Sequence, residues 1–473
     1  MAMDGLFRAD RPVIGVRGVH LDLKGVPPTF DRLIQLLDVF VAARYNAVLV
    51  EWEDMFPWTV DDRFRCETAY SADEVRQFHA EAADRGLQVI PLVQCLGHME
   101  TPLSLSEYAK LREVPHVADT LNPLAEGARQ LVESMVDDVL ALTPQISHLH
   151  LGGDEAWSFG THPDTKAYIQ KHGKGALYLH HVEPILDKLS ARGVRPILWH
   201  DMMIEWDDAA LRALSRKADL MVWGYHGHPD QCTHHYATKH IQRFHDLGVT
   251  MWGGTAYKGA EGEDVDRPNV PIRQTNALAW AEVAQRFRMK GVVATAWSRY
   301  STHRVQNEPI DAAFDSLVNV GVILHDGEPP AVGAEGCVAA LAEISEKDRH
   351  EACRAAMRRL ADARNQAWHV LRCLHQQVTM QSLDARRSAA AKGAVDSLKH
   401  LTGLVAELGG AAQQVHESFA GLIDKLWIDR YLAERIQPLR QQLAWLDPVV
   451  KTVDPAGYQA VIEADKTCKT ARR

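Results

Sequence analysis

Short apolar runs rich in valine, leucine and isoleucine recur along the N-terminal part of this chain, and longer amphipathic segments separate several of them. The runs lie at Val13–Leu21, Ala47–Trp52, Gln88–Gln94, His148–Gly152, Pro196–Trp199, Leu220–Trp223, Thr250–Gly253 and Gly291–Trp297. After the first, Phe30–Tyr45 carries Leu33, Leu36, Leu37, Phe40 and Val41 at helical spacing. Before the fourth, Ala128–Leu142 does the same with Leu131, Met135, Val139 and Leu142. A helix between two strands returns the chain so that the next strand runs in the same direction, which makes a parallel sheet. Eight such units within about 320 residues meet the requirement of a (β/α)8 TIM barrel. The predicted class is therefore α/β.

The pattern changes at Asp326–Gly336, "DGEPPAVGAEG", a Pro/Gly-rich linker. Beyond it strand signals are few. Met357, Leu360, Trp368, Leu371, Leu374 and Val378 fall at helical spacing, as do Val395, Leu398, Leu401, Val405 and Leu408. A third stripe runs through Val415, Phe419, Leu422 and Leu426. The expected organisation is a catalytic barrel over residues 1–328 and an all-α helical domain over 329–473. The stripes serve a bundle core or a contact with a second copy, as in a homodimer.

Composition removes several classes of function. A formal net charge of -10 argues against a nucleic-acid surface, and no block of like charge forms a tail. No stretch of about 18 uninterrupted apolar residues predicts a membrane span. The opening "MAMDGLFRADRPVIGVRG" has neither the apolar core of a signal peptide nor that of an anchor. The seven cysteines, Cys66, Cys95, Cys232, Cys337, Cys353, Cys373 and Cys468, are scattered and form no CxxC pair. They fit reduced thiols in a cytoplasmic protein, with no disulfide framework and no zinc knuckle.

In a barrel of this kind the reactive side chains come from the C-terminal ends of the strands. Those ends read "RGVHLDLKG", "EWEDMFPW", "PLVQCLGHME", "HLHLGGDEAW", "LWHDMM", "VWGYHGH", "MWGGTAYKGA" and "ATAWSRY". Polar and aromatic groups are concentrated there. Trp199, Trp223, Trp252 and Trp297 close four successive runs and predict apolar walls for the faces of a sugar ring, core packing being the alternative for each. Asp154 and Glu155 stand side by side after two glycines. Two carboxylates in a partly dry pocket cannot both ionise cheaply, so the pair can supply one acid and one anionic partner. The other reading of the pair is a cap on a following helix, whose N-terminus favours acidic residues.

The run "HLHLGGDEAW" resembles the H-x-G-G-D-E signature of glycoside hydrolase family 20, the β-N-acetylhexosaminidases. "RGVHLDLKG", "EWEDMFPW" and "PLVQCLGHMETPL" are similar to the hexosaminidase D-like branch of that family, and the similarity runs from about Arg17 to Tyr300. The resemblance implies a retaining exo-glycosidase with substrate-assisted catalysis and no metal or other cofactor. Its partner is a carbohydrate ending in a β-linked N-acetylhexosamine. It assigns Glu155 as general acid/base and Asp154 as the residue that orients the 2-acetamido group. It matches Arg17 to an arginine that grips sugar hydroxyls, and His98 to a histidine that contacts sugar or supports the acid. Trp199, Trp223 and Trp297 match tryptophans around the acetamido methyl, and Tyr225 and Tyr257 both suit the tyrosine that holds its oxygen.

Two departures stand out. Gln94 stands where family members of the lysosomal and chitinolytic type have an acidic residue before the third-strand Gly-His, and the last strand ends Trp297-Ser298-Arg299 where those members have W-x-E. Glu53, Asp54 or Asp201 are the candidates to rebuild recognition of the far hydroxyls, which leaves the choice between GalNAc and GlcNAc open. Two other functions compete with this one. The histidines of "HLHLGG", "WHD" and "YHGHPDQCTHH" suit a metal-dependent barrel hydrolase. A sugar-binding protein without catalysis is the other.

Overall fold

A computed structural model of the protein describes residues 6–340, 347–383 and 392–460, so Cys468 lies outside the described residues. Eight strands close into a parallel barrel. They are β1 (Val16–Asp22), β2 (Ala47–Glu51), β3 (Gln88–Leu92), β4 (His148–His150), β5 (Arg195–Trp199), β6 (Asp219–Trp223), β7 (Met251–Lys258) and β8 (Gly291–Ala296). β1 pairs with both β2 and β8, which completes the ring. Almost every strand residue is buried, because the barrel interior fills one face and helices cover the other. Leu49, Ile90, Leu92, Ile197, Trp199, Met221, Trp252 and Val293 make one packed cluster.

The surrounding helices start where the local chemistry supplies caps. Thr29 accepts the Arg32 amide ahead of the helix Phe30–Ala42, and Ser71 forms a capping box with Glu74 ahead of Ala72–Asp84. All eight strands differ from their sequence expectation by at least one residue at an end, and two of the differences bear on the site. β4 stops at His150, because Gly152 and Gly153 take φ of 56° and 81° and leave the ladder. β7 runs on to Lys258, so Trp252 is its second residue and sits at the N-terminal end of the barrel. There its indole donates to Asp219, at the end of the barrel opposite the cavity.

A hairpin of Arg112–Val114 and Val117–Leu121 was not expected from the sequence. It braces two loops of the site. Met99 donates to Asp119 (3.0 Å) and Leu121 to Leu96 (2.9 Å), holding the loop after β3. Buried Glu113 accepts from the amides of Gly160 and His162 and from the Thr165 hydroxyl, holding the loop after β4.

The chain divides into two compact units, Met1–His350 with Gly421–Asp424, and Glu351–Ala420 with Lys425–Arg473. The second contains most of the long helices Lys347–Leu383, Lys392–Phe419 and Lys425–Val453, with Met357, Leu360, Leu371, Leu398, Leu401 and Leu408 buried. The stripe through Leu426 is not one helix. The chain breaks after Phe419, with Gly421 at φ 76°, and Ile423 bridges Pro28 within the first unit. No described helix is long and apolar enough to cross a membrane.

Candidate active site

A cavity of about 260 Å³ opens at the C-terminal ends of the barrel strands, lined among others by His98, Asp154, Glu155, Trp223, Tyr225, Trp297, Tyr300 and Asn307. His98 and Glu155 both take left-handed backbone conformations, φ 53° and 46°. Such φ values cost non-glycine residues energy and persist only where surrounding contacts impose them. No helix starts at the carboxylate pair; the next begins at Pro163, with His162 as its cap. The capping role therefore does not apply.

His98 Nε2 lies 3.6 Å from Asp154 Oδ2 and 3.5 Å from Glu155 Oε2. Burial by itself disfavours an imidazolium, but the Asp154 charge and the contacts to both carboxylates raise His98 well above its ordinary value. Burial pushes Glu155 up, and His98 more than reverses that, leaving it below the usual carboxylate range. Both shifts favour a proton on His98 over one on Glu155 in the free protein. Buried Asp154 Oδ1 has no hydrogen-bond partner among the described residues.

The backbone that presents the pair is clamped from below. Gly153 N donates to Gln94 Oε1 (3.3 Å), and Tyr178 Oη donates to Gly153 O (3.1 Å). A Cβ on Gly152 would run into Gln94, and one on Gly153 into the Tyr178 hydroxyl. Glu155 N donates to Asp201 Oδ2 (3.0 Å), and the Trp223 indole donates to Asp201 Oδ1 (3.2 Å). Burial and the Asp154 charge push Asp201 up to about 7. Asp201 thus lies beneath the pair as an acceptor that positions the Glu155 backbone and a pocket wall. Asp201→Asn puts an amide N–H where one of these acceptors stands. The expected result is a fall in kcat of about tenfold with unchanged circular dichroism. An unchanged kcat would remove Asp201 from the site.

The aromatic residues separate into two groups. Trp223, Tyr225 and Trp297 line the cavity, with Tyr225 stacked on Trp223 (centroids 5.3 Å apart, 24° between planes). Trp199 is buried behind them in the barrel core, its ring 4.4 Å from His150 and 6.0 Å from Trp297. Tyr257 is also buried and donates to the carbonyl of His20, outside the cavity. Of the two tyrosines left open by the sequence, Tyr225 is the one at the pocket.

Arg17 is not brought to the site. It is the second residue of β1, at the N-terminal end, and its guanidinium donates to the carbonyls of Ile14, Gly15 and Arg44. The C-terminal end of β1 instead supplies Asp22 and leads to Lys24. Lys24 Nζ lies 2.9 Å from Asp22 and 3.0 Å from Glu51, and 5.3 Å from the centre of the Trp297 ring. Sequence reasoning overlooked Lys24 and Glu51 because both look like ordinary rim charges. Tyr300 and Asn307 were also missed, although Tyr300 stood in the quoted "ATAWSRY". Glu53 and Asp54 are not in the main cavity. Glu53 borders a small neighbouring one with Glu51, Gln94 and His98, and burial pushes it up to about 8.

The histidines of the metal reading do not converge. His148 meets Gln88 and Lys290, His150 accepts from Gly152 N, and His200 contacts the carbonyl of His235. Among the described residues, His98–Asp154–Glu155 and His228–Asp230–Glu282 are the groups close enough to share an ion, each with its atoms within 4.8 Å.

Residues 57–310 match the glycosyl hydrolase family 20 catalytic domain. Human hexosaminidase D is 34% identical over 313 residues, covering 64% of this chain and 64% of the human protein, so this chain spans less than two thirds of that relative. Bovine hexosaminidase D is 32% identical over 322 residues, 66% of this chain and 92% of the bovine protein. Among solved structures, a chitobiase from Flavobacterium johnsoniae superposes with a TM-score of 0.54 at 14% identity, over 96% of this chain and 75% of that one. A β-N-acetylhexosaminidase from Bacteroides fragilis gives 0.52 at 18%, over 71% of each chain. At such identities these likenesses speak for the fold alone.

Proposed function

Because the chain belongs to glycosyl hydrolase family 20, we propose that it is a retaining exo-β-N-acetylhexosaminidase acting through the acetamido group of its own substrate. The observation that carries this reading is Asp154 Oδ1, a buried acceptor without a partner at a pocket walled by Trp223, Tyr225 and Trp297. An acetamide fits both features. Its N–H satisfies the carboxylate oxygen, and its methyl packs against the rings.

In the first step the acetamido oxygen attacks C1 and the bond to the leaving oxygen breaks, with Glu155 delivering the proton that oxygen needs. Asp154 favours the positive charge that develops on the acetamide nitrogen. The nucleophile is part of the substrate, so no encounter has to be arranged for it. In the second step Glu155 takes a proton from the water that attacks C1, and the acetamide is restored. Retention follows from two displacements at one carbon. Before the first step Glu155 must take up a proton, against the downward shift that His98 imposes on it. Substrate favours this by excluding water from the carboxylate.

The chain's expected compartment is the reducing cytoplasm, in keeping with seven scattered cysteines that form no CxxC pair.

A metal-dependent hydrolase is the second reading, favoured by the proximity of His98, Asp154 and Glu155. One experiment separates the two: hydrolysis of aryl β-glycosides of GalNAc, GlcNAc, Gal and Glc, with and without a chelator. The expected result is cleavage of the N-acetyl sugars alone, unaffected by chelation. Loss of turnover on chelation would support the metal reading, and equal turnover of plain sugars would exclude the acetamide as nucleophile.

A further inference from the structure

We propose that Trp157 and Tyr300, joined by a hydrogen bond, form a platform for the leaving-group sugar beside Glu155. This rests on the reading of Glu155 as the acid. Among the described residues of the first unit, these two are the large aromatics left exposed, Trp157 at 72% and Tyr300 at 40%. An indole in water forgoes the gain of burying its faces, and near a reactive group that exposure points to a ligand.

The local geometry orients both rings. Trp157 N donates to Glu155 O (2.7 Å), so the tryptophan is tied to the backbone of the acid itself. Its indole N–H donates to Tyr300 Oη (3.1 Å). The one polar atom of the indole is thereby engaged, and its faces stay apolar. Tyr300 lines the same cavity as Glu155. The Tyr300 ring also meets His98 edge-on, with centroids 5.6 Å apart.

The position matches the geometry of exo-cleavage. The cavity holds the terminal sugar against Asp154, and the acid lies on the side where the scissile oxygen leaves. Whatever is attached to that oxygen therefore lies beyond Glu155, where Tyr300 borders the cavity and Trp157 stands next to it. The apolar face of a hexopyranose ring suits such a surface, whereas a methyl group is too small to reach across it.

The test compares two substrates that share a terminal N-acetylhexosamine and an alkyl-type leaving oxygen: a disaccharide and the methyl glycoside. In Trp157→Ala the ratio of kcat/KM for disaccharide over methyl glycoside is expected to fall about tenfold, mostly through KM, and Trp157→Phe should restore most of it. An unchanged ratio, whether both substrates slow equally or neither does, overturns the platform while leaving the hexosaminidase reading intact. If the wild type cleaves neither substrate, the parent reading fails and the platform with it.

Discussion

Glu155→Gln is expected to hydrolyse N-acetyl glycosides with poor leaving groups about 10²–10⁴-fold more slowly than the wild type, because on the proposed mechanism the proton for the leaving oxygen is gone. The loss shrinks for a leaving group that departs as a stable anion, since that step needs no acid. Asp154→Asn is expected to lose a comparable amount on every N-acetyl substrate, whatever the leaving group. Its proposed role is to favour charge on the acetamide, and removing one preorganised electrostatic partner of this kind costs about 10²–10³ in kcat. The measurement is kcat for both variants across a series of aryl leaving groups. Equal sensitivity of the two variants to leaving group would dissolve the division of labour between the carboxylates. Wild-type rates in both would remove the pair from the chemistry.

The second large effect is on stability. Lys24 is almost fully buried between Asp22 and Glu51. Burial alone would raise the Glu51 carboxyl, but the Lys24 charge and the His20 contact hold it well below the usual carboxylate range. Lys24→Met leaves two anions in the barrel without their shared cation, a change that costs about 3–5 kcal/mol. The expected observation is a lower urea midpoint for loss of activity, partly recovered in Lys24→Met/Glu51→Gln, where one stranded charge has been neutralised. An unshifted midpoint in the single variant would show that the cluster contributes little.

The pH dependence of the same cluster has a definite sign. A carboxyl depressed in the folded state contributes stability above its unfolded value, and this is lost as pH falls through the folded one. For Glu51 the loss therefore begins below about 4.5, its ordinary value. The cluster also reaches the site. Gln94 donates to Glu51 Oε1 (3.3 Å) and accepts from Gly153 N (3.3 Å), so the ion pairs support the turn that carries Asp154 and Glu155. This gives Gln94 a physical role. An acid in its place would add a third buried anion beside Glu51, while an amide can donate to one neighbour and accept from the other.

Much of the candidate site was legible because it is local in sequence. The pair Asp154–Glu155, the preceding glycines, and Trp223, Tyr225 and Trp297 all lie at or just past the end of a strand, where the barrel puts its loops. The misplaced residues have two causes. Arg17 and Trp252 were assigned to rims because the register of each strand relative to the barrel axis was unknown. A few residues of uncertainty there move a side chain from one end of the barrel to the other. Trp199 and Tyr257 were placed near the sugar by type, yet both turn into the packed core.

The sequence by itself determined the parallel barrel, the helical region beyond it and the two neighbouring carboxylates, because periodicity and local motifs are properties of adjacent residues. Only the tertiary structure decided which groups share the pocket. His98 comes from the loop after β3, Glu155 from that after β4, Asp201 from that after β5 and Tyr300 from that after β8. Their charges and hydrogen bonds act over a few ångströms, across chain separations that no local pattern records.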